Sequence, residues 1–222
     1  IFGNWDLIKT SNILGNYNNT LYIDPQNGND EYSGLLPGYP RKTLGSLKNI
    51  VESNNAVDVV IKLVNSLTIS ENHTMPIATI VFEFQKDSIK FDFGSNLLAI
   101  EGGTSIKYTK ANPAFLNQVV CGGSYANAFV VSDEIFKYKD ISIEFDNVDV
   151  NMSGKNLLLN NNRPMLNLTV ASIGSVFAVG NVLNVNNRGV YNTLNLNVHA
   201  TTTNITANVG GAESSKAKVV AF

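Results

Sequence analysis

Charge is scarce in this chain. Of its 222 residues only 15% are Asp, Glu, Lys or Arg, against roughly 25% in an ordinary globular domain, and the net charge is −2. Lys and Arg gather nowhere into the basic patch that nucleic acid or an anionic membrane surface requires, so both are set aside as partners. Cys121 is the single cysteine, which excludes an intrachain disulfide and makes a packed free thiol its expected state. His73 and His199 are the only histidines, and neither sits in a metal-ligand pattern. No stretch approaches the roughly 20 apolar residues of a membrane-spanning helix, so no membrane insertion is expected. No charged-then-apolar leader opens the chain. Beginning at Ile1 and ending in "KVVAF", it reads as a processed product or a piece of something longer.

What the chain does contain is apolar residues, at 44%, and 32 asparagines. That is enough for one sizeable core beneath a polar but nearly uncharged surface. Short runs rich in β-branched and aromatic residues fill most of it: "VDVVIKLV", "ATIVFEF", "SIKFDF", "NLLAIE", "ISIEFDNVDV", "LNLTV" and "TLNLNV". Several alternate, as strands do, and Asn, Gly and Ser separate them. The most apolar runs start near residues 59, 79, 97, 118, 141, 166, 183 and 204. Gaps of that order are the period of a solenoid with two or three short strands per coil, and they exceed the turn spacing of a sandwich. The expected fold is therefore all-β, a parallel β-helix. The recurring Asn residues suit its corners, because Asn tolerates left-handed backbone and stacked Asn side chains can bond from coil to coil.

One segment differs. After "YIDPQNGNDEYSGLLPGYPRK" comes a predicted amphipathic helix over 43–53, with Thr43 as its cap and Leu44, Leu47, Ile50 and Val51 on one face. A solenoid exposes the raw end of its core and an unpaired row of backbone donors, so a helix across the first coil would serve as a lid.

The opening stretch resembles the lead-in motif of right-handed parallel β-helix proteins of the pectate-lyase-like superfamily, above all bacteriophage tailspike and tail-fibre proteins. The residues carrying the likeness are Asp24, Gly28, Asn29, Asp30, Gly34, Pro40, Thr43 and Leu44. Arg41 stands where the family usually has Phe or Trp. The resemblance implies three parts: a lead-in segment 1–20, the opening motif and capping helix 21–56, and β-helix coils 57–222, truncated at the C-terminal end. It also implies a virion tail protein, a homotrimer, that attaches to bacterial surface polysaccharide, capsule or O-antigen. Polysaccharide depolymerases and secreted or bacterial-surface adhesins share the motif, because fold alone does not choose a function.

If the chain cleaves polysaccharide, it needs two carboxyls roughly 5 to 10 Å apart, one of them a proton donor. Glu144 and Asp146 are the catalytic candidates. In "ISIEFD" the residues Ile143 and Phe145 are expected to point inward, so both acids project from one face. Glu83, Asp92 and Glu101 could join them from neighbouring coils. After Asp149 the only acid is Glu213. "GNDEYSG" lacks the alternating acids and terminal Glu of a calcium loop, and "GGTS" and "GGSYANA" have no Lys at phosphate-loop spacing. No cofactor and no metal is expected, and Asp24 and Asp30 are read as bonding turn amides.

Overall fold

The computed structural model describes residues 19–121, 127–131 and 140–151, and beyond them the backbone of seven further strands. The strands form three sheets. The first contains β1 (Thr20–Ile23), β2 (Asp58–Leu63), β5 (Thr79–Phe84), β8 (Ser105–Lys110), β11 (Ile141–Asp146), β14 (Met165–Ile173), β17 (Tyr191–Val198) and β19 (Ala217–Ala221), in that order. The second holds β3 (Leu67–Thr68), β6 (Lys90–Asp92), β9 (Gln118–Val120), β12 (Asp149–Asn151) and β15 (Phe177–Ala178). In the third are β4 (His73–Thr74), β7 (Leu98–Ile100), β10 (Asn127–Val131), β13 (Asn156–Leu159), β16 (Leu183–Asn186) and β18 (Ala207–Gly210). Every strand pairing among the described residues is parallel. Parallel neighbours need a long crossover between them, and from β2 to β16 the strands of the other two sheets supply it, because the chain visits first, second and third sheet in fixed rotation.

Period-two alternation drives this arrangement. In β2, β5 and β11 every second side chain is buried, and the buried ones fall into register across the sheet. Leu21, Ile61, Phe82, Tyr108 and Phe145 make one such row. Leu67, Phe91, Val119 and Val150 make another in the second sheet, and Leu98 lies beside Phe129 in the third. Together they form a single apolar cluster drawn from all three sheets. Phe82 and Tyr108 stack at 5.0 Å with planes 12° apart, and Tyr108 and Phe145 stack at 5.3 Å and 5°. Phe91 of the second sheet meets Phe82 edge-on at 5.0 Å and Tyr108 at 5.3 Å. Each such aromatic pair adds about 0.5–1.5 kcal/mol beyond the area it buries.

Among the described residues, several asparagine side chains bond to backbone groups. Asn96 Nδ2 donates to the Ile69 carbonyl at 2.8 Å, and Asn117 Nδ2 donates to the Lys86 and Ile89 carbonyls at 2.9 and 3.1 Å. Asn72 Oδ1 accepts from the Leu97 amide at 3.0 Å. These side chains tie a turn to the backbone of the neighbouring pass. Asn55 and Asn147 take the left-handed backbone, with φ of 50° and 56°. Along the strands, two Asn–Asn neighbours occur in register, Asn127 with Asn156 and Asn184 with Asn208.

Two expectations need correction. Helix α1 runs from Leu47 to Ser53, not from 43, and Thr43 does not cap it. The Thr43 hydroxyl donates to Asp30 and accepts from the Gly45 amide, while Ser46 stands before the helix at φ 67°. Leu44, Leu47 and Val51 are buried as expected and Ile50 only partly. The apolar-run starts are also not equivalent positions: 59, 79, 141 and 166 fall in the first sheet, 97 and 183 at the third, 118 in the second, and 204 lies outside the described residues. The true row reads Val60, Val81, Lys107, Glu144, Ala171, Asn197, Val220. Apolarity missed it because β8 carries Lys107 on its outward face.

Candidate functional site

The opening motif is built around two aspartates. Asp24, buried at the end of β1, accepts from the amides of Gln26 and Asn27 at 3.0 and 3.2 Å and from the side chains of Asn27 and Asn65 at 3.1 and 2.6 Å. Asp30 accepts from the amides of Lys42 and Thr43 at 3.1 and 2.9 Å and from the Thr43 hydroxyl at 2.9 Å. Asn29 Oδ1 accepts from the Glu31 amide, and the Asn29 amide donates to the Pro40 carbonyl. Gly28 packs so tightly that a Cβ would collide with the carbonyls of Arg41 and Asp24, and Gly34 needs its φ of 75°. The result is a loop that folds back along β1. Tyr22 donates to Gly34 at 2.7 Å, Arg41 to Tyr22 at 2.9 Å and Asp24 to Arg41 at 2.8 Å, all through backbone groups. So the loop itself covers the outer edge of the first sheet, an edge that would otherwise invite pairing. Leu44, ahead of α1, is buried.

Burial alone would raise the carboxyl of Asp24, yet the bonds from Asn65, Asn27 and Gln26 hold it below its ordinary value. In Asp30, too, burial works upward and the Thr43 and Lys42 bonds with the Arg41 charge win, lowering it. A carboxyl depressed in the folded state contributes stability that is present above its unfolded pKa and lost as pH falls through the folded one. The melting temperature is therefore expected to fall on acidification below about pH 4, and Asp24→Asn should flatten that fall while lowering stability at neutral pH. Thermal melts of both proteins across that range are the check.

On the solvent face of the first sheet stand Glu144 and Asp146, side by side on β11 as alternation demands. Lys107 of β8, in register with Glu144, lies between them, with Nζ 2.7 Å from Glu144 Oε1 and 2.8 Å from Asp146 Oδ2. The Asp146 and Glu144 bonds push the Lys107 ammonium up. Asn147 Nδ2 also donates to Asp146 Oδ1 at 2.7 Å. A glycosidase pair works with one carboxyl holding a proton, whereas both of these carboxylates accept from an ammonium.

The other acids do not gather here. Glu83 shares the face but pairs with Lys62 at 4.0 Å and accepts from Gln85 at 2.6 Å. Asp92 lies in the second sheet and accepts from the Gly94 amide at 2.8 Å. Glu101, just past β7, pairs with Lys48 of α1 at 3.7 Å. Cys121 is buried, and burial pushes its thiol far up, away from reactivity. Lys107 was the member that sequence reasoning missed, since it is remote in the chain and only strand register brings it to the acids.

His73 lies half-buried in β4, where burial lowers its pKa and Glu71 partly offsets this. Trp5 and His199 lie outside the described residues. Among the described residues no group of three or more His, Cys, Asp or Glu could hold a metal ion, and no helix is long and apolar enough to cross a membrane. Comparison of the chain with protein-family models, curated proteins and solved structures gives no match.

Proposed function

We propose that the chain is a right-handed parallel β-helix serving as the rigid module of a bacteriophage tailspike or tail fibre, attaching the virion as a homotrimer to bacterial capsule or O-antigen polysaccharide. The observation that carries the reading is the fixed rotation of the chain through three parallel sheets around one apolar cluster. Parallel crossovers are right-handed in about 98% of cases, which supports the hand. The opening loop closed over β1, with α1 beside β4, supports a lid at the first coil. Such a scaffold is stiff, and its weakly charged, Asn-rich surface offers the neutral hydrogen-bonding groups that sugar hydroxyls need.

Attachment is favoured over depolymerisation by Lys107, which occupies both candidate acids. The test pairs two readouts on purified capsule and O-antigen polysaccharides. Immobilised polysaccharide should retain the protein, and prolonged incubation should release neither reducing ends nor unsaturated sugars. Release that Glu144→Gln abolishes would make the chain a depolymerase instead. Light scattering should give a particle of three chains; a monomer at all concentrations removes the trimer.

A further inference from the structure

We infer that the Asn27–Gly28 bond is a modification site that the folded opening loop keeps closed: when the loop opens, Asn27 converts to aspartate or isoaspartate, and neither product rebuilds the loop. The inference is independent of what the protein binds. Of the 32 asparagines only Asn27 precedes a glycine, and a glycine, lacking a side chain, leaves its backbone nitrogen unhindered as a nucleophile. Once deprotonated, the Gly28 nitrogen adds to Asn27 Cγ, the Cγ–Nδ2 bond breaks, and the amide proton passes through solvent to the departing ammonia. Water then opens the resulting succinimide at one of its two carbonyls. Cleavage of the new N–Cγ bond gives Asp at 27, while cleavage of the original peptide bond gives isoaspartate, whose main chain runs through Cγ and is one carbon longer.

Asn27 is exposed, so water reaches it and protection has to come from geometry. Asp24 holds both reacting ends. Its carbonyl accepts from the Gly28 amide at 2.7 Å, and its carboxylate accepts from Asn27 Nδ2 at 3.1 Å and from the Asn27 amide at 3.2 Å. The next amide, that of Asn29, donates to the Pro40 carbonyl at 3.0 Å. For the attack, the Gly28 nitrogen must give up its proton and its partner, and the Asn27 side chain must turn away from Asp24. Both products then meet an obstacle in the refolded loop. A carboxylate at 27 replaces a donor to Asp24 Oδ2 with a like charge. The extra main-chain carbon of isoaspartate falls beside Gly28, where even a Cβ would collide with the carbonyls of Arg41 and Asp24. The close packing that demands glycine at 28 thus puts the reactive pair inside the loop that covers β1.

Parent protein is aged at mildly alkaline pH, once native and once in guanidinium chloride, and fragmentation mass spectrometry of peptides spanning Asn27 follows the conversion of its amide to acid. Because only open loops react, conversion at 27 should be about tenfold or more slower in the native protein than in the unfolded chain. Equal rates in the two conditions overturn the protection. A pair of variants tests the products without a refolding step. Asn27→Ser loses the amide donor to Asp24, and Asn27→Asp, made directly, adds the charge as well, so Asn27→Asp should melt several degrees below Asn27→Ser. An Asn27→Asp chain that fails to fold where Asn27→Ser folds supports the same conclusion. If Asn27→Asp melts with Asn27→Ser or above it, the product fits the loop and the inference falls.

Discussion

Gly28→Ala is expected to destabilise the protein by about 3 kcal/mol or more, while Gly38→Ala, ten residues on in the same loop, should stay within about 0.5 kcal/mol of the parent. The contrast follows from space. A Cβ at Gly28 meets the carbonyl groups of Arg41 and Asp24, backbone atoms that cannot swing aside, whereas nothing lies within 4 Å of a Cβ at Gly38. Moving Arg41 would break its backbone bonds to Tyr22 and Asp24 and expose the edge of β1. Chemical denaturation gives the size of the loss. Equal stabilities for the two variants would mean that the loop is not braced through Arg41.

Tyr108 should respond to substitution with either sign. Tyr108→Ala removes the middle ring of the stack formed with Phe82 and Phe145, together with its edge contact to Phe91, and should cost about 3–5 kcal/mol as other large-to-small changes at buried aromatics do. Tyr108→Phe keeps the ring and deletes a fully buried hydroxyl that has no hydrogen-bond partner among the described residues. Since an unsatisfied buried polar group costs about 1–3 kcal/mol, this variant should be more stable than the parent by about 1 kcal/mol or more. Equilibrium unfolding of the two variants gives both signs. A destabilised Tyr108→Phe would show that the hydroxyl has a partner after all.

How much of this was legible beforehand depended on range. In "ISIEFD" the alternation placed Ile143 and Phe145 inward and Glu144 and Asp146 outward, and the structure buries the first two and exposes the others in part, because period two is a property of one strand. The start of α1 was not legible. The hydroxyl of Thr43 was available to a cap until Asp30, thirteen residues away in sequence, came beside it. Lys107 was hidden from the acids for the same reason, since β8 and β11 meet only once their register is set. The asparagines were half legible. Left-handed backbone at Asn55 and Asn147 follows from local preference, but the bonds from Asn96 and Asn117 reach carbonyls of a different pass, which no local pattern encodes.

Consider finally how such a molecule must form. From β2 to β17 each strand of the first sheet finds its partner only after two intervening strands have been laid down in the other sheets, so almost no native pairing there is local and refolding should be slow. The ordered edge of one strand is the template on which its successor adds. A ribosome that delivers the braced loop and β1 first thus supplies a seed, and growth then runs in one direction along the nascent chain. Circular permutation that moved residues 19–56 to the far end would remove that seed and delay assembly, even where it left the finished molecule unchanged.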